Sequence, residues 1–530
     1  MPTPARLRIL LSASLLWLAG GPLAAQSSPR GPAPAAVRRA ALTITDSDVR
    51  RRIAVIADDS MRGRPTPSRE LDRTAAYIAE EFRRFGLRPG GDSGTFIQRY
   101  PILRVQLDTA SFVTIAGHGV EGRWTMGQDL APGAPLPIAA DVISGPVVLL
   151  KGMPSDTARP FGRVPVRGAV VVQTLPRSML MRGSQLVPLL AKAAAAGVRG
   201  WIVVLPLPRS FVAFQVRTML APQLVFAGRD EEGPVRIPVL LMRDSSAFDV
   251  LRAAGEDPVA LRDTATRDIR ALGGFRVTLS ARRRVIEELS APNVIGVLEG
   301  SDPRLRDEFV LFSAHMDHIG VTRGDLGCIA AGADSICNGA DDNASGTSGV
   351  VELAEAFATL TPRPRRSLIF LAVSGEERDL WGSGWYTEHP AVPLAQTVAD
   401  LNMDMIGRNW RDTIAVIGKE HSSLGEVADR VAQDHPELNV RLIGDIWPTE
   451  DFYRRSDHFN FARRGVPILF FFNGVHPDYH RPTDSPDRID AEKEARIVRM
   501  VFYIGLEVAN AAQRPAWNPE SRRQIVRNRH

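Results

Sequence analysis

FVLFSAHMDHIG, residues 309–320, and NGADDNASG, residues 338–346, are the stretches on which the fold turns. Phe309 to Phe312 is a continuous apolar run, the pattern of a strand buried on both faces of a parallel sheet. Polar chemistry begins where that run ends. His315 and Asp317 lie two residues apart, so persisting strand geometry turns both to the same side. There the carboxylate can accept the second imidazole N–H and orient the ring, a metal-ligand arrangement. An isolated H-x-D is more often a structural histidine at a strand end. This one has company further along the chain.

From Asn293 to Arg514, strand-like apolar runs alternate with helical ones, which predicts βαβ units and an α/β fold: a mostly parallel mixed sheet flanked by helices. Ligands in open α/β sheets bind beyond the carboxyl ends of the strands. Four runs end in reactive residues. Phe309 to Phe312 leads to His315, and Leu368 to Val373 leads to Ser374-Gly375-Glu376-Glu377. Val398 to Met403 leads to Asp404, and Val466 to Phe472 leads through Asn473-Gly474 to His476 and then Tyr479-His480. Asp342 stands at the head of a predicted helix, Ser345 to Leu360. Each has a bland reading: a solvated Glu pair, a helix cap, a loop Tyr-His. Together those readings would gather acid and imidazole at one end of a buried sheet without purpose, at several kcal/mol per unpaired charge, roughly. The pattern favours a metal centre.

With 530 residues and 44% hydrophobic composition the chain is globular and exceeds one ordinary domain. Lysine occurs only at Lys151, Lys192, Lys419 and Lys493, and the many arginines are scattered, so the net charge of +5 marks no nucleic-acid surface. The first 25 residues read as a signal peptide: Arg6 and Arg8 precede apolar Ile9 to Ala19, with small residues at Ala24 and Ala25. That run is too short for a comfortable transmembrane span, so an exported, periplasmic or extracellular protein with no stable membrane insertion after cleavage is expected. Cys328 and Cys337 flank the loop before Asp342; they either close a small disulfide loop or remain two thiols.

Leu71 to Phe85 carries apolar residues at helical spacing and stops at Gly86. From about Val105 to Val285 short β-like runs dominate, with one alanine-rich helix, Leu186 to Ala196. His, Asp and Glu do not cluster there, so this region reads as an inserted β-rich domain that shapes access to the site or serves as a spacer. Asp490 to Arg514 reads as one helix, capped by Asp490 and stopped by Pro515. The predicted organisation is signal peptide 1–25, disordered leader 26–41, first catalytic segment 42–105, insertion 106–285, second catalytic segment 286–514 and a frayed basic tail 515–530.

The motifs SAHMDH, NGADDNASG, SGEE, NMDMIGR, RSDHFNF and HPDYH resemble those of the co-catalytic di-zinc exopeptidases, peptidase family M28, which include bacterial and fungal aminopeptidases. The resemblance covers Asp48 to Tyr100 and Asn293 to about Asn510, and the insertion is similar to a protease-associated domain. It implies two zinc ions per chain, with cobalt or manganese able to substitute. By position in the motifs, His315, Asp342 and Asp404 would hold one ion and Asp342, Glu377 and His480 the other, with Asp342 as the bridge. Glu376 would be the general base acting on a metal-bridging water, Asp317 the partner of His315, and Tyr479 an aid to the tetrahedral intermediate. Asp341 would be a neighbour, and Asp457 and His458 pocket structure. Three carboxylates and two imidazoles bring a charge of −3 to two divalent ions, leaving about +1 to polarise a carbonyl.

The implied reaction is hydrolysis of the N-terminal peptide bond of peptides or proteins. The carboxypeptidase branch of the family carries a long helical domain after the catalytic part, whereas here little follows the Asp490–Arg514 helix. A carboxypeptidase-type or other amide hydrolase is the alternative on the same site. A single-zinc aminoacyl transferase like glutaminyl cyclase is the alternative from another class, and a receptor-like relative would have lost ligands. Trp381 and Trp385 either line an apolar pocket or belong to the core. Oligomeric state is not readable.

Overall fold

The computed structural model describes residues 32–138, 140–154, 156, 158–176, 186–227, 237–257 and 268–526. The signal peptide and the start of the leader lie outside these residues. Two mixed sheets, each flanked by helices, make up the described chain.

The first sheet runs Arg441–Ile443, Thr413–Ile417, Ile468–Phe472, Thr397–Met403, Phe309–His315, Ser367–Val373, Arg283–Leu298, Ile97–Leu107, Gln223–Phe226. Its four central strands, from Ile468–Phe472 to Ser367–Val373, are parallel to one another. Their outer neighbours, Thr413–Ile417 and Arg283–Leu298, join antiparallel, so the parallel character is confined to the middle. Every residue of these four strands is buried, as continuous apolar runs require. Alternation divides their side chains between two cores. Val310, Phe312, Ala314, Leu368 and Phe370 face a large cluster with the helices Asp46–Ile56, Arg69–Arg84, Gly346–Ala358 and Ala491–Asn510. Leu311, Ile369 and Leu371 face a smaller one with Phe461, Phe470 and Phe472.

Helix bounds follow local chemistry. Ser68 accepts the Leu71 N–H at 3.0 Å and starts Arg69–Arg84, whose Leu71, Ala75, Ile78 and Phe82 are buried. Asp490 accepts the Lys493 N–H at 3.1 Å and starts Ala491–Asn510, which ends before the expected Arg514.

The second sheet is Val120–Thr125, Phe112–Gly117, Asp268–Ser280, Ile143–Lys151, Val170–Thr174, Gly200–Leu205, Val239–Arg243, Leu130–Pro132. It has its own core, running in sequence from Leu107 to Ala281. The expected helix is there as Val187–Ala195. The insertion is not wholly separate, because Gln223–Phe226 leaves it to pair with Ile97–Leu107 at the edge of the first sheet.

Two expectations are corrected. Residues 34–41, assigned to a disordered leader, form the helix Pro34–Ala41 with Ala40 and Ala41 buried. The basic tail is not frayed over its described part: Asn518 caps the helix Pro519–Ile525, Ile525 is buried, and Trp517 Nε1 donates to the Gly465 carbonyl at 2.9 Å. Apolar residues widely spaced among arginines give too weak a periodicity to show such packing. Cys328 and Cys337 are joined in a disulfide. No helix among the described residues is long and apolar enough to cross a membrane.

Candidate metal centre

The parallel strands end together, and their ends carry the reactive side chains. Asp342 is central. Its Oδ1 lies 3.3 Å from His315 Nε2, and that nitrogen lies 3.4 Å from Asp404 Oδ1. Its Oδ2 lies 3.2 Å from His480 Nε2, which lies 3.4 Å from Glu377 Oε2. Ligand atoms about 2.0–2.2 Å from a tetrahedral ion are separated by about 3.3 Å, so each of these pairs has the spacing of neighbouring ligands, although His480 lies outside the two three-residue groups able to hold a metal among the described residues. His315 Nε2, Asp404 Oδ1 and His480 Nε2 are buried atoms without a hydrogen-bond partner. Orphaned lone pairs facing one another at this separation fit a cation.

A third imidazole was not expected here. His318 Nδ1 lies 2.8 Å from Glu377 Oε1 and 3.7 Å from Asp342 Oδ2, and His318, Asp342 and Glu377 form one of the two groups able to hold a metal. The other is His315, Asp342 and Asp404. His318 belongs to the same HMDH motif, but strand alternation would turn it away from His315. The strand in fact ends at His315, and the following turn redirects the chain.

Glu376 is outside both groups, yet it shares a cavity with Asp342 and Asp404. Burial pushes its carboxyl well above the usual range, with His315 opposing and Glu377 and Asp404 adding. The adjacent Glu377 moves down: burial and Asp342 raise it, but the hydrogen bond with His318 and the nearby His480 imidazole outweigh them. Adjacent carboxyls driven apart suit one for proton transfer and the other for coordination. Burial also opposes the charge of Asp342, but the imidazoles of His315, His318 and His480 around it hold it well below the ordinary carboxylate range. Burial disfavours the His480 imidazolium, yet the adjacent carboxylates of Asp342 and Glu377 raise it to about 10.

Asp317 corrects part of the expectation. Its carboxylate is 3.7 Å from His315 Nδ1, whose hydrogen bond goes instead to the Asp317 backbone carbonyl at 3.2 Å. The carboxylate accepts from Thr66 Oγ1 and Gly375 N at 2.8 Å each, and from Glu376 N at 3.4 Å. It therefore holds the turn that presents Glu376. Gly375 is needed in that turn: its φ is +72°, and a Cβ there would lie 2.5 Å from the Tyr100 hydroxyl.

The loops around Asp342 are fixed from two sides. Asp484 accepts the backbone N–H groups of Asp341 and Asp342 at 3.0–3.1 Å. Arg64, fully buried, donates to the Met316 and Gly339 carbonyls at 2.7 Å each and to the Asn338 carbonyl. Neither residue carries a sequence signal, because its partners are distant backbone groups. Asp341 turns away from the metal-binding atoms, accepting from Gly407 N at 2.6 Å, and its Oδ2 is 3.2 Å from His476 Nε2.

A small cavity of about 40 Å³, open to solvent, lies over these groups. Asp342, Glu376 and Asp404 give it a polar floor, Met405, Phe452, Phe470, Phe472 and Val475 supply apolar walls, and Tyr479, Arg455 and Ser456 complete the lining. Tyr479 stacks on His480 with ring centroids 3.8 Å apart. Trp381 and Trp385 take no part in the lining. They pack on Phe226 from the insertion at 6.0 Å each, so the core reading of these tryptophans holds.

The fold and site define an α/β protein with a carboxylate-bridged pair of metal-binding groups beyond the ends of a parallel sheet. Residues 293–505 match the model of Peptidase family M28, and this matched segment holds every residue of both groups. The chain is 28% identical over 271 residues to a probable zinc metalloprotease of Pyricularia oryzae, covering 43% of this chain and 52% of that protein. It is 26% identical over 208 residues to Aminopeptidase YwaD of Bacillus subtilis, covering 36% of this chain and 43% of that protein. It thus spans about half the length of these curated relatives. Among solved structures, an aminopeptidase from Aneurinibacillus sp. strain AM-1 is similar with a TM-score of 0.46 at 16% identity, covering 89% of this chain and 95% of that one.

Proposed function

We propose that the protein is an exported zinc-dependent aminopeptidase, hydrolysing the N-terminal peptide bond of peptides or proteins. The observation that carries this reading is the division of Asp342, one oxygen facing His315 and Asp404 and the other facing His480, Glu377 and His318. His315, Asp342 and Asp404 would hold one zinc ion, and Asp342, Glu377 and His480 the other, with His318 Nδ1 bonded to Glu377. The aminopeptidase activity named for YwaD supports the direction of attack. Zinc in such sites supplies a Lewis acid and lowers the pKa of water toward neutrality.

The chain's own residues account for the remaining steps. Glu376, unligated and presented by the Asp317-bound turn, takes one proton from the attacking water as the new C–O bond forms. It returns that proton to the leaving amine as the C–N bond breaks, so the residue ends as it began. Tyr479, which lines the cavity, would donate its hydroxyl to the developing oxyanion. The apolar walls take the side chain of the terminal residue and exclude water. The insertion touches this machinery through Phe226, which packs on Trp381 just beyond the Glu376 turn, and we assign it a part in shaping access.

Glu376→Gln tests the assignment. The variant should keep its zinc, measured by metal analysis, while turnover falls by roughly 10²–10⁴. Near-wild-type turnover would remove Glu376 from the mechanism.

A further inference from the structure

A buried chain of side chains runs from Asp404 into the sheet. Ser456 Oγ lies 2.8 Å from Asp404 Oδ2, Asn402 Nδ2 lies 3.4 Å from Ser456 Oγ, and Ser313 Oγ lies 2.8 Å from Asn402 Oδ1. Ser313 Oγ is also 2.7 Å from Asp400 Oδ1. All five residues are at most 7% exposed. Asn402 stands opposite Ser313 across the parallel pair Thr397–Met403 and Phe309–His315, and Asp400 opposite Leu311, so the register itself assembles the chain.

Counting hydrogens from the ligand end fixes every role. A coordinating Asp404 is ionised and only accepts, so the single Ser456 hydrogen goes to it. Ser456 Oγ then accepts, and the donor in reach is the Asn402 amide. That turns the Asn402 oxygen to Ser313, and the single Ser313 hydrogen is spent there. Ser313 Oγ can therefore only accept from Asp400, which must be a donor.

We propose that Asp400 is a neutral carboxylic acid whose proton sets the direction of this chain, making it a positioning residue for the metal ligand Asp404. The chain occupies Asp404 Oδ2 and leaves Oδ1, which has no hydrogen-bond partner, turned to His315 Nε2. An ionised Asp400 would be poorly placed, because its Oδ2 also lacks a partner and the charged neighbour acting on it, Asp457, is another acid. Burial raises the Asp400 carboxyl to about 8, in the same direction.

The inference rests on Asp404 being a zinc ligand, and the test separates the two claims. Zinc affinity is measured by competition with a chelator in the full-length protein and in Asp400→Asn, Asp400→Ala and Ser313→Ala. Asp400→Ala and Ser313→Ala should weaken one of two bound zinc ions about 10-fold. Asp400→Asn, whose amide N–H can donate in place of the acid, should restore the affinity to within about twofold, since a neutral donor is all the chain requires. The infrared difference between wild type and Asp400→Asn at neutral pH should show the carbonyl band of a protonated carboxyl. Absence of that band, or unchanged zinc binding in Ser313→Ala, would overturn the relay while leaving the metal centre standing. Ser313→Ala removes a single oxygen and serves if Asp400→Ala does not fold. Wild-type protein that binds no zinc would overturn both claims.

Discussion

Asp342 presents its two oxygens to different imidazoles, so losing one of them should disturb both metal-binding groups. Asp342→Asn is expected to bind far less zinc than wild type and to melt at a lower temperature in its presence, by metal analysis and calorimetry. His458 offers a test outside the centre. Burial holds its imidazole down from 6.5 to about 3, while Nε2 contacts the Tyr453 carbonyl at 2.8 Å and the ring stacks on Phe470. The unfolded chain takes up this proton below pH 6.5, and the folded chain refuses it until about pH 3. The contribution to stability is therefore present above pH 6.5 and lost as pH falls toward 3, at up to about 1.4 kcal/mol per pH unit. His458→Phe, which keeps the stack, should unfold with a shallower acid slope in denaturant titrations at a series of pH values. Most of the residues gathered at the centre were legible because each follows an apolar run. His318 was not, since its placement depends on where a strand stops, and Asp317 was legible in position but not in its bonds to the Glu376 turn.

Among elements, the segment from Arg62 to Thr66 ties the N-terminal part of the chain to the centre. Arg64 bonds carbonyls on both sides of the metal site, at Met316 and at Asn338 and Gly339. Lysine keeps the charge but cannot reproduce the planar fork. Arg64→Lys should therefore lose about 2 kcal/mol or more of stability in denaturant unfolding, because carbonyls are left unpaired in a buried place. It should also release zinc faster to a chelator than wild type. The helix Arg69–Arg84 was legible from its apolar period and the Gly86 stop, and Gly346–Ala358 was legible as a helix following Asp342. The residues leading into Gly346–Ala358 were not, because Asp342 and Asn343 adopt non-helical backbone angles set by Asp484 and Met403, which are remote in sequence.

For the whole molecule, alternation of strand and helix gave the α/β class and the set of strands that deliver ligands. It could not give strand order. The antiparallel pairing of Ile97–Leu107 with Arg283–Leu298 brings together segments on either side of the insertion, a non-local contact that leaves no mark in local pattern. The same holds for Gln223–Phe226, whose short run reads as part of the insertion but completes the edge of the first sheet.

The central claim, a metallo-aminopeptidase, is tested most directly with aminoacyl-p-nitroanilides and their N-acetylated counterparts, using purified protein with and without chelator and added zinc. Cleavage confined to the free-amine substrates, abolished by chelator and restored by zinc, is the predicted result. Protein that holds zinc and cleaves neither set, or cleaves the acetylated set equally well, would contradict it.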